Sequence, residues 1–132
     1  MREIKLKAWH IPEKKLYFRA YQKLTHVLLC DPAPNQDPAA DKGIPVKRAS
    51  FEDCFLLEST DLQDVHGVEI FESDIVRIKT SEKEFEGVVG SIPDMYRSRK
   101  LHPLHDLLEL HQVDAAQIVS IQIIGNQFAA KG

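Results

Sequence analysis

The stretch 56–78, LLESTDLQDVHGVEIFESDIVRI, constrains this chain more than any other. Leu56 and Leu57 lead into a polar segment, 59–67, that ends on Gly67. Residues 68–71 return as an apolar-rich strand, Glu72, Ser73 and Asp74 turn the chain again, and residues 75–78 leave as a third strand. Short β-branched runs separated by Asp, Ser and Gly are the pattern of antiparallel strands joined by tight turns.

The flanks extend that pattern. Residues 3–9 alternate charged and apolar side chains, the period of a half-buried strand, with Trp9 closing it. A turn at 10–15 containing Pro12 and an extended segment at 16–18 complete a predicted hairpin. Residues 21–30 fit a strand or a short helix, with a strand favoured over 26–29. Residues 31–45 hold four prolines, and proline supplies no N–H to a ladder, so this is a loop. Phe51, Cys54 and Phe55 are predicted core residues, although 51–58 also fits a helical turn.

After residue 78 comes a charged hairpin-like excursion at 79–86, a short buried strand at 87–90 and a loop at 92–100. Leu101, Leu104 and Leu108 recur at helical spacing, which predicts a helix over 101–111 with Pro103 in its first turn. Residues 118–124, IVSIQII, read as a central strand ended by Gly125 and Asn126.

Three blocks carry a resemblance. The first is the basic strand 2–9, closing on Ala8 and Trp9. The second contains Thr60, Leu62, Asp64, Gly67, Glu69, Ile70, Phe71, Glu72, Asp74, Ile75 and Val76 in fixed spacing. The third is 123–126, ending in Gly125 and Asn126. Together they resemble the YopX family of phage and prophage proteins. Asp61 and Ser73 stand where that family usually has glycine, and residues 127–132 replace its usual acidic tail. The resemblance implies a predominantly β fold and a phage or prophage origin, and it implies no catalytic activity. Turn chemistry and core packing account for the central block without a ligand. Gly67 suits a positive-φ position, and Asp64 and Asp74 can accept hydrogen bonds from their own turns.

Composition narrows the functional classes. With 132 residues the chain is long enough for a real core in one domain. No apolar run approaches the ~18 residues of a membrane span, and the N-terminus is charged from its second residue. Cys30 and Cys54 are too few for a disulfide framework and lack metal spacing, which points to a reducing, cytoplasmic setting. Residues 1–30 carry seven Lys and Arg against two acids, and residues 61–90 carry three against eight. These segments attract one another, within one fold or across subunits. The sharper alternative is a nucleic-acid face built from Arg2, Lys5, Lys7, Lys14, Lys15 and Arg19.

Two clusters hold possible metal ligands. Asp61, Asp64, His66, Glu69, Glu72 and Asp74 match no known ligand spacing, and turn roles suffice for them. His102, His105, Asp106 and Glu109 share one face of the predicted helix, with His111 nearby. No His-Glu-x-x-His occurs there, and a solvated helix shoulder is the simpler reading. No nucleophile signature or phosphate-binding glycine loop is present. A hairpin of the small-barrel type at 74–89 lacks the excess of basic and aromatic side chains that nucleic-acid binding needs.

The sequence therefore predicts a mainly β protein with a small mixed or antiparallel sheet or barrel core and one short helix. Residues 1–132 form a single domain, with a Pro-rich loop at 31–45. The expected role is a non-enzymatic interaction or assembly module without cofactor or membrane association. It pairs with itself or with an unidentified phage or host protein through strand edges or the oppositely charged segments. A nucleic-acid-binding regulator is the runner-up, and a metal-dependent hydrolase on the 102–111 cluster is a weaker third.

Overall fold

The computed structural model describes residues 5–34, 41–90 and 101–128. They form an antiparallel, mostly β structure that divides into two compact units, residues 1–59 and 60–132.

In the first unit, β1 (Leu6–His10) pairs antiparallel with β2 (Lys15–Tyr17) on one side and with the first half of β6 (Cys54–Gln63) on the other. The β1–β2 pair is the hairpin that alternation predicts. Leu6, Ala8 and His10 share a face, and Ala8 and His10 are buried. His10 thus ends the strand rather than opening the turn. A second sheet follows the order β3 (Arg19–Gln22), β4 (Val27–Asp31), β5 (Ile44–Ala49). Residues 21–30 accordingly hold the end of β3 and most of β4 rather than a helix, and Lys23 N–H donates to His26 C=O at 2.9 Å to close the turn between them. The core contains Ala8, Tyr17, Ala20, Val27, Leu29 and Ala49, with Leu6, Cys54 and Leu56 against it.

Two expectations fail here. Phe51 is 39% exposed and Phe55 is 51% exposed, so neither is a core residue. Strand parity is the reason. Leu56 faces the core, so its neighbour Phe55 must face away. The loop expected over 31–45 also ends early, because β5 begins at Ile44 and tolerates Pro45 on an outer strand of its sheet. Residues 35–40 of that loop lie outside the described residues, as does the expected loop over 92–100.

In the second unit, β7 (Glu69–Phe71) neighbours β6. A separate sheet runs β10 (Ile118–Asn126), β8 (Asp74–Thr80), β9 (Glu84–Val88). The middle strand is β8, and β10 lies at the side of the sheet, which corrects its reading as central. The β8–β9 turn falls at 81–83, so the charged segment 79–86 is mostly strand, and of the expected strand 87–90 only Gly87 and Val88 belong to β9. Val88 is 42% exposed while Val89 is buried.

One α-helix lies among the described residues, α1 (His105–Leu110), shorter than the 101–111 predicted. No side chain caps its N-terminus through a cap hydrogen bond, and Leu104 is the N-cap. Its end is a Schellman turn. Val113 N–H donates to Leu108 C=O at 2.9 Å, and Gln112 N–H donates to Glu109 C=O at 3.1 Å, with Gln112 at φ +57°. Leu104 and Leu108 pack with Ile70, Val76, Ile78 and Val89. Leu107 lies over Gly87, where an added Cβ would sit 2.3 Å from Leu107 Cδ1.

Candidate functional site

Two buried carboxylates organise the second unit. Asp64 closes the β6–β7 turn. Its Oδ1 accepts from His66 N–H at 2.8 Å and Val68 N–H at 3.0 Å, and Gly67 occupies φ +77°. Its Oδ2 accepts from Ile123 N–H of β10 at 3.1 Å. Beside it, Val65 N–H donates to Ile121 C=O at 2.9 Å. The turn therefore covers the outer side of β10, and covering an edge substitutes for pairing it. Burial pushes the Asp64 carboxyl up, but the N–H groups of Val68, Ile123 and His66, with the nearby His66 ring, outweigh that and hold it below its ordinary range. Thr60 ties the same hairpin together. Its buried hydroxyl donates to Ile70 C=O at 2.7 Å and accepts from Leu62 N–H at 3.1 Å.

Asp74 is the second carboxylate and is 4% exposed. Its Oδ2 accepts from Phe71 N–H at 2.8 Å, and its Oδ1 accepts from the Asn126 side-chain amide at 3.2 Å. Asn126 Oδ1 in turn accepts from Phe128 N–H at 2.9 Å. Gln127 N–H donates to Ser73 C=O at 2.7 Å. The central block and the block ending in Gly125 and Asn126 therefore meet through both carboxylates.

Asp61 and Ser73, the two positions without the expected glycine, sit at φ +62° and +70°. A side chain is strained in this region by roughly 1–2 kcal/mol, less for Asp. Ser73→Gly is expected to stabilise the protein by about 0.5–1 kcal/mol after the added flexibility of the unfolded chain is deducted, and Asp61→Gly by less. Urea titration checks both; a lower midpoint for Ser73→Gly would show that its side chain contributes more than its backbone costs.

The metal candidates separate. Of the central six, Asp64 and Asp74 accept backbone hydrogen bonds, and among the described residues the six gather no ligand set. His102 lies before the helix, and its Nδ1 accepts from Leu104 N–H at 3.1 Å. Burial pushes its pKa down. It does not join His105, Asp106 and Glu109, whose ligand atoms lie within 4.8 Å of one another. His105 Nε2 is 3.2 Å from Glu109 Oε2, on side chains 44% and 73% exposed. This donor set suits a weakly held, solvated cation at most. His111 instead stacks on Phe85 at 4.1 Å, and its carbonyl accepts from the Lys83 ammonium.

The basic candidates do not share one surface. Arg19 is 5% exposed, donates to Phe18 C=O at 3.0 Å and lies 4.2 Å over the Phe18 ring. Lys15 reaches Asp31 at 3.5 Å and stands in register with His10, on the opposite side of the sheet from Lys7. Lys5 and Lys7 are half-buried, and Lys14 is exposed on the β1–β2 turn. Arg2 lies outside the described residues.

One cluster escaped the sequence reading. Glu13 Oε1 accepts from the Tyr17 hydroxyl at 2.7 Å and lies 2.7 Å from His10 Nδ1 and 3.4 Å from Lys47 Nζ. Burial, then Glu13, pushes the Tyr17 hydroxyl up to about 12. The Glu13–Tyr17 spacing is a local signal for it; Lys47 has none.

The fold and these turns define a class, a β protein whose most constrained polar residues serve as internal joints. The YopX protein family profile matches residues 5–129, and the chain belongs to that family. A search of curated proteins finds no match. Among solved structures, the chain is similar to the crystal structure of protein EF1440 from Enterococcus faecalis. The TM-score is 0.54 at 16% identity, covering 97% of this chain and 95% of that one. This likeness concerns the fold alone.

Proposed function

We propose that this YopX-family protein is a phage- or prophage-encoded, non-enzymatic interaction or assembly module that acts in the bacterial cytoplasm. The observation that carries the reading is the engagement of Thr60, Asp64, Asp74 and Asn126 in bonds inside the fold. These four polar residues of the family blocks join strands, which supports surface recognition as the function. No helix among the described residues is long and apolar enough to cross a membrane.

Two of the outer strands, β5 and β9, make poor contact surfaces. β5 carries Pro45, Lys47 and Arg48, and β9 carries Glu84 and Glu86. Both patterns discourage pairing with another chain. A nucleic-acid role is weakened by the burial of Arg19 and the pairing of Lys15. Light scattering after size exclusion, at low and physiological salt, tests the assembly reading. A defined oligomer that persists in salt is expected, and a monomer under both conditions would overturn self-assembly.

A further inference from the structure

We infer that His10, Glu13 and Cys54 bind a divalent transition-metal ion of the zinc class, between the β1–β2 turn and the start of β6. The inference goes beyond the assembly reading and stands apart from it. It starts from an orphaned atom. His10 is 4% exposed, and its buried Nδ1 has no hydrogen-bond partner among the described residues. Glu13 Oε1 lies 2.7 Å away, yet the contact lacks hydrogen-bond geometry. A buried nitrogen set against a carboxylate oxygen without a bond between them is satisfied by an ion that both can ligate.

Topology supplies the third donor. His10 and Cys54 are partners in the antiparallel β1–β6 ladder. They share a face, because His10 lies on the side of β1 that carries Ala8, and Cys54 packs with Leu56 on the core that contains Ala8. Side chains directly opposed in such a pair have Cβ atoms about 4.5–5.5 Å apart. Nδ1 and Sγ are the donor atoms nearest to Cβ in their side chains, so this spacing lets both reach one ion at roughly 2.0–2.3 Å. Glu13 comes to the same place from the turn after β1. The three donors are not gathered within 4.8 Å of one another, so binding requires a side-chain rotation that brings the Cys54 thiol and the Glu13 carboxylate together.

The donor set selects the ion. Imidazole nitrogen, thiolate sulfur and carboxylate oxygen suit zinc and its neighbours, whereas calcium and magnesium take oxygen ligands. The charges also balance. A thiolate and a carboxylate neutralise a doubly charged cation, so the site carries no net charge beside a buried ring. Binding releases the thiol proton to solvent. The Tyr17 hydroxyl, which donates to Glu13 Oε1 at 2.7 Å, steadies the carboxylate from behind. Lys47 Nζ lies 3.4 Å from the same oxygen on a side chain that is 40% exposed, so it can turn to water when the ion enters. Three protein donors leave one tetrahedral position for water.

Cobalt(II) titration of the full chain, with its thiols kept reduced by a phosphine, tests the inference. A thiolate–cobalt bond absorbs strongly in the near ultraviolet, and a site of nitrogen and oxygen alone does not. The wild type is expected to show that band, to lose it to added zinc, and to unfold at higher urea with zinc bound. Cys54→Ser is expected to abolish the band, and Cys30→Ser to keep it. His10→Gln and Glu13→Gln are each expected to weaken cobalt affinity by at least about tenfold. Glu13 is on a turn, so its variant keeps the test decisive if the buried His10 variant does not fold. No band at saturating cobalt would overturn the inference. A band lost in Cys30→Ser would do the same, as would a band that neither His10→Gln nor Glu13→Gln weakens, the mark of a lone thiolate. Cobalt uptake without the band, removed by His105→Gln, would place the ion on the exposed helix cluster and overturn the inference.

Discussion

Asp64→Ala is expected to destabilise the protein by about 3–4 kcal/mol, because one carboxylate satisfies three backbone N–H groups in a buried position. Hydrogen bonds to a charged acceptor are each worth more than neutral ones, and Ile123 N–H would be left facing an apolar methyl. Asp64→Asn keeps the shape but turns an amide N–H₂ toward N–H donors, and is expected to cost about half as much. Urea unfolding measures both, and a shifted midpoint with an unchanged slope marks a stability effect. The pH dependence has a definite sign. Asp64 is held below its ordinary value of 3.8 in the folded state, so between the folded and unfolded values the unfolded chain binds more protons. Its contribution is complete above the unfolded value and disappears as pH falls through the folded one. The wild type therefore loses stability on acidification below about pH 4, and Asp64→Asn lacks that component. Equal acid sensitivity in the two proteins would show that the carboxylate is not the group responsible.

The same residue marks where sequence reading stops. The turn at 64–67 was legible because Asp64 and Gly67 act on their own backbone, within a few residues. The bond to Ile123 spans 59 positions and leaves no local trace. The resemblance placed the two blocks in one chain without placing them in contact. β10 misled for a related reason. Its uncharged, β-branched composition is that of a central strand, yet Asp64 and Val65 cover its outer side, so it needs no charged guard. The alternation of β1 is legible in the sequence because burial follows parity. Phe55 has the hydrophobicity of a core residue, but its parity against Leu56 places it on the opposite face. Of the site candidates, His102 lies before the helix, which starts two residues beyond Pro103, so the expected four-residue face does not form.

The coupling between Asp74 and Asn126 decides whether the C-terminal motif is part of the same joint or merely packs beside it. Asp74→Ala is expected to cost about 3 kcal/mol, since Phe71 N–H and the Asn126 amide both lose a buried charged acceptor. Asn126→Ala is expected to cost about 2 kcal/mol, because it removes a donor from Asp74 and an acceptor from Phe128 N–H. The double variant should cost less than the sum by about 1 kcal/mol, because the bond between the two side chains can be lost only once. Strict additivity would mean that each residue acts on its own strand and that the pair carries no shared energy. A coupling of the expected size would make the central block and the block ending in Asn126 one energetic unit. The glycine before Asn126 would then matter for bringing β10 past the register shift between Ile123 and Gly125, so that Asn126 lands opposite Asp74. In that case Gly125→Val should weaken the Asp74–Asn126 coupling itself, and a cycle repeated in that background measures the loss.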